Sequence, residues 1–81
     1  MTVARKVLSP GKVLREALKS RLRNVKPLLP TNWKVLYFYE YPQDKGQEDF
    51  LANVYAGKSL HEPTIVKLEL LAQIILKKNS L

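Results

Sequence analysis

The side chains able to do chemistry are few and scattered. The 81 residues contain one histidine and no cysteine. No second His or Cys stands ready to share a metal with His61, and thiol catalysis and disulfides are excluded outright. Ser9, Ser20, Ser59 and Ser80 have no neighbouring histidine in a nucleophile motif. The three glycines are isolated, so no phosphate-cradling loop can form. The acids outside the N-terminal third stand beside turns and helix starts, where solvation and the helix dipole account for them. Nothing in this set supports an enzyme, a cofactor or a small-molecule substrate. What these side chains can do is bind, and the dominant binding chemistry is cationic.

Residues 1–26 hold Arg5, Lys6, Lys12, Arg15, Lys19, Arg21, Arg23 and Lys26 against Glu16 alone, while residues 27–81 hold six bases and six acids. The first third therefore carries the whole net charge of +7. Such a block attracts polyanions, because each phosphate neutralised by Lys or Arg releases a counterion. Nucleic acid is the first expectation. A solvated helix face and an Arg-rich, acid-poor targeting segment fit the same composition. Exposed tyrosines from the cluster Trp33, Tyr37, Phe38, Tyr39 and Tyr41 could stack on single-stranded bases, which keeps RNA in view. No apolar run approaches the ~20 residues of a membrane span. Met1 to Leu8 is not followed by the apolar stretch of a secretory signal. A cytoplasmic protein with no membrane partner is expected.

These charges must be positioned by a small scaffold. One core fits in this length and two do not. Residues 1–8 read as a flexible basic arm, and residues 9–81 as a single helical domain. Ser9 and Pro10 mark a helix start. Leu14, Ala17, Leu18, Leu22 and Val25 follow at spacings of three and four, with Arg15, Lys19, Arg23 and Lys26 on another side. This first helix spans about 10–25 and stops before Pro27. Pro27 to Pro30 is a rigid connector whose two leucines face the core. Thr31 or Asn32 caps a second helix through Trp33, Leu36 and Tyr37, although the run Lys34 to Tyr41 is by local propensity also strand-like. Pro42 to Gly46 is a turn. A third helix spans Gln47 to Ala56 with Phe50, Leu51 and Val54 inward, and Gly57 ends it. Thr64 caps a last helix from Ile65 to about Lys78. The fold class expected is an all-α, compact orthogonal bundle of four or five helices.

Val54, Gly57, Lys58, Pro63, Thr64, Leu68, Leu71 and Ala72 resemble the lambda-repressor-like helix-turn-helix domains. There a recognition helix ends in an apolar residue, two variable positions and Gly-Lys. A loop with a proline step follows, and the next helix opens on Ser or Thr with a pattern close to Leu-x-x-Leu-Ala. Leu29-Pro30-Thr31-Asn32-Trp33 is similar to an element of short regulators of bacterial mobile elements. The likeness covers about residues 28–76. It departs from the family between the second and third helices, where Tyr41 to Gly46 replaces a tighter turn.

The resemblance implies a sequence-specific binder of double-stranded DNA that acts by occupying sites. Helix 47–56 would enter the major groove, which accepts one helix. Gln47, Glu48, Ala52 and Asn53 would face base edges: Gln and Asn can pair with adenine, Glu can accept from cytosine, and the small Ala52 allows close approach. Phosphate contacts would come from Lys34, Lys45 and Lys58, from Arg15 and Lys19 on the first helix, and from Arg5 and Lys6 in the arm. Against this, Glu48 and Asp49 lie in the first turn of that helix, near where phosphates would run. A protein-interaction module that keeps the core but no longer binds DNA is the alternative. Val66, Leu70 and Ile74 form a second apolar stripe on the last helix, which suits a homodimer interface or a surface covered by the first helix.

Overall fold

The structure is a computed structural model that describes residues 10–79. The basic arm with Arg5 and Lys6, and the Ser9 cap, lie outside the described residues. Four helices follow in order: α1 Pro10–Val25, α2 Trp33–Glu40, α3 Glu48–Tyr55 and α4 Glu62–Asn79. Short 3-10 turns at Lys26–Leu28 and Pro42–Asp44 lead into the connections before α2 and α3. No strand occurs among the described residues, and the fold is the all-α bundle expected.

The strand-like run is a helix because burial overrides propensity. Trp33 and Tyr37, one turn apart, share the buried face of α2. They join Leu22, Val25, Leu29, Leu51, Leu68, Leu71 and Ala72 in the main core. A smaller cluster holds Leu18, Val54 and Ile65. Trp33 also stacks on Tyr55, with ring centroids 4.3 Å apart and planes 15° from parallel, which ties α2 to α3.

The long segment between α2 and α3 is anchored, not loose. The buried Tyr37 hydroxyl donates to Asp44 Oδ2 at 2.6 Å, and Lys67 Nζ of α4 donates to the same oxygen at 2.9 Å. Both bonds favour the carboxylate, the Tyr37 bond most, and hold Asp44 below its ordinary pKa. Burial, then the Asp44 bond, pushes the Tyr37 phenol well above its ordinary range. Gly46, at φ +96°, takes the left-handed turn that brings the chain to α3.

Several boundaries and facings differ from the sequence reading. Only Leu29 of the connector leucines is buried, and Leu28 is exposed. With three residues per turn in the 3-10 segment, adjacent side chains diverge and only one can face the core. The apolar stripe of α1 enters the core only from Leu18 onward; Leu14 and Ala17, on the first turns, stand in solvent. Phe50 is also exposed, and packs edge-on against His61 at 5.1 Å. It lies about 100° around α3 from Leu51, off the buried face. The last helix begins at Glu62, one turn earlier than expected. The His61 carbonyl accepts from the amides of Thr64 and Ile65. Pro63 fits the first turn because no amide is needed there. The Thr64 side chain is buried and hydrogen-bonded to His61 Nδ1 at 2.8 Å.

Candidate nucleic-acid interface

The cations of α1 fall on two flanks of one cylinder. Lys12, Arg15, Lys19 and Arg23, with Lys26 just beyond, recur at spacings of three and four. At 100° per residue they make one stripe about 100° from the core line of Leu18, Leu22 and Val25. The stripe is about 20 Å long. Arg21 falls on the other side of that core line.

The two flanks meet different neighbours. Arg21 points at α4. Its Nε donates to Glu69 Oε2 at 3.0 Å and its Nη2 to Glu69 Oε1 at 2.6 Å, with Nη1 3.5 Å from Glu62. This two-pronged pair raises the already high Arg21 pKa and, through the hydrogen bonds first, lowers that of Glu69. The opposite flank faces the C-terminal end of α3. There Lys19, Leu22, Arg23 and Lys26 line a shallow cleft with Ala56 and Gly57. Lys19 reaches Glu16 only at 3.8 Å, between two exposed groups, a contact of little energy. Arg23 is exposed. Lys26 lies 4.7 Å from the centre of the Tyr55 ring, a cation–π contact that keeps its ammonium at the cleft wall.

The end of α3 is built by Gly57. Its φ is +84°, its amide donates to Val54, and the Lys58 amide donates to Asn53. That is the paired closure of a helix by a left-handed glycine, as the sequence led one to expect. Exposed Lys58 follows directly, just beyond the C-terminus of α3, the negative end of its dipole. Glu48 and Asp49 are exposed in the first turn, at the opposite end about 12 Å away.

The positions expected to read bases are mixed. Gln47 precedes α3 and is exposed, as are Glu48 and Asn53, whereas Ala52 is half-buried. Asn53 shares its outward face with Asp49, four residues before it. Lys34 on α2 and Lys45 in the turn before α3 are exposed. On α4, Val66 and Ile74 are half-buried and Leu70 is 50% exposed. Leu28 and Leu70 line one groove between α1 and α4. Of the second apolar stripe, Leu70 borders α1 across this groove, while Ile74 lines another with Leu36 and Tyr39 of α2.

Residue order counts Arg21 in the basic block and does not show its partners Glu62 and Glu69. The one available signal was its place off the three–four spacing of the other cations. The Tyr37–Asp44–Lys67 network and the Trp33–Tyr55 stack join residues far apart in sequence and left no local sign. Among the described residues, no group of three or more His, Asp or Glu could hold a metal ion, and no helix is long and apolar enough to cross a membrane. No known protein family, curated protein or solved structure matches this chain.

Proposed function

We propose that this chain binds double-stranded DNA as a small regulator of repressor type, acting by occupancy and doing no chemistry. The observation that carries the reading is the one-sided cationic stripe of α1. Arg23, exposed, and Lys19, only weakly paired, stand beside the α3 C-terminus, while the acids of α4 are turned to Arg21. The helix-turn-helix resemblance supports DNA over other polyanions. Such a partner would put the protein in the bacterial cytoplasm or nucleoid. Two half-sites would call for a second copy, and the open part of the Leu28–Leu70 groove, with Val66 and Ile74 beside it, is the face offered to it.

A fluorescence-anisotropy titration with random-sequence duplex, at two salt concentrations about fourfold apart, tests this. Binding should weaken steeply with salt, each phosphate contact adding about 0.9 to the log–log slope. Absence of binding at low salt removes the reading. A protein-interaction module is the second reading, favoured by the exposed Glu48, Asp49 and Phe50 on α3. It would show as salt-insensitive capture of a protein by a chain that ignores DNA.

A further inference from the structure

The direction from which DNA is approached can be inferred, taking the DNA-binding reading as its premise. A helix that reads the major groove ordinarily does so with its N-terminal residues. In α3 that end carries Glu48 and Asp49, both exposed, and the outward Asn53 shares its face with Asp49. Phosphates would meet two carboxylates there. The other end of α3 carries no acid, and the three α1 cations beside it outweigh the partial negative charge of the helix C-terminus. Ala56 and Gly57 carry almost no side chain, and the space around Gly57 is open, since a Cβ built there would meet nothing within 4 Å. Lys19, Arg23 and Lys26 line the same cleft from α1. Lys19 to Lys26 spans about 10 Å of helix, enough to follow successive phosphates of one strand at 3.4 Å of duplex axis each.

We propose that the duplex is held by its phosphate backbone in the cleft between the basic stripe of α1 and the C-terminal cap of α3. Lys19, Arg23 and Lys26 are the phosphate contacts, and the acidic N-terminal turn of α3 faces away from the DNA. Of the cations expected from the helix-turn-helix resemblance, Lys34 and Lys45 are then bystanders.

Two double variants of equal charge change separate the docking modes. In K19E/R23E and K34E/K45E all four positions are exposed, so far-ultraviolet circular dichroism should remain that of the parent. Against a labelled random-sequence duplex, K19E/R23E should bind at least tenfold more weakly, with a salt slope smaller by about 2. K34E/K45E should stay within about threefold of the parent, the share due to net charge alone. Equal losses, or the larger loss in K34E/K45E, would overturn the docking mode. A third variant, E48Q/D49N, reads the acidic end directly: affinity within twofold of the parent is expected, and a tenfold gain would place that end in the groove. A parent chain that binds no duplex removes the DNA reading itself, whereas a binding parent with an unaffected K19E/R23E removes only the cleft.

Discussion

Arg21 and Arg23 are two residues apart on one helix and have opposite fates. Arg21 is clamped by Glu69 and Glu62 of α4 and acts as a staple between helices. Arg23, on the far flank, lines a cleft whose other wall is the nearly bare end of α3. The same guanidinium is structural where a neighbouring helix presents acids and available where a neighbouring helix presents small residues. The basic block therefore overstates the binding surface: one of the eight cations in residues 1–26 is neutralised by acids of α4, while the net charge stays +7.

Leu22 is 4% exposed and lies between the two flanks. Leu22→Ala should cost about 2–5 kcal/mol, a large share of the stability of so short a chain, and thermal unfolding by circular dichroism should show both flanks lost together. Gly57→Ala probes the cleft flank alone. With φ at +84° and no clash around it, the loss should be about 1 kcal/mol from backbone strain, measured as a lower urea midpoint. Arg21→Met should also cost about 1 kcal/mol, kept small because both partners are about a third exposed. It should change DNA affinity little. Arg23→Met should do the opposite: stability within about 0.5 kcal/mol of the parent, and weaker binding by anisotropy.

Acid and salt should divide the flanks in the same way. Glu69 and Asp44 have folded pKa values below their ordinary 4.5 and 3.8. Each contributes stability that is fully present above those values and is lost as pH falls through the lower folded ones. The melting temperature should hold from pH 7 to about pH 5 and decline below 4.5, with E69Q and D44N each flattening the decline. Tyr37 works in the other sense. Its raised pKa favours the protonated phenol in the fold, so stability is present below pH 10 and falls as pH rises above it. Salt should leave the melting temperature nearly unchanged while weakening DNA binding.

Much of the fold is legible in local residue order, because the signals are local. Pro10 and Pro27 frame α1, Gly57 closes α3, and three–four spacing marks each buried stripe. The errors fall where a facing depends on what lies across a gap. Leu14 and Ala17 continue the stripe of α1, yet among the described residues they stay exposed, outside the core; Phe50 has helical spacing, yet its neighbour is His61 and not the core. In local order Thr64 resembles the cap of α4, whereas its hydroxyl turns inward to His61 and the helix starts at Glu62.

Residue order alone is enough to define a small all-helical fold with its charge surplus in the first third. Proline, glycine and hydrophobic period act over a few residues, so they can be read along the chain. Which cations are neutralised depends instead on how the helices pack. Arg21 meets Glu62 and Glu69, whose carboxylates lie more than forty positions further on, because α1 packs on α4. Arg23 lines a cleft because α3 ends beside it in Ala56 and Gly57. Coulomb energy depends on distance and solvent, and for residues so far apart in the chain both are set by the packing of the core.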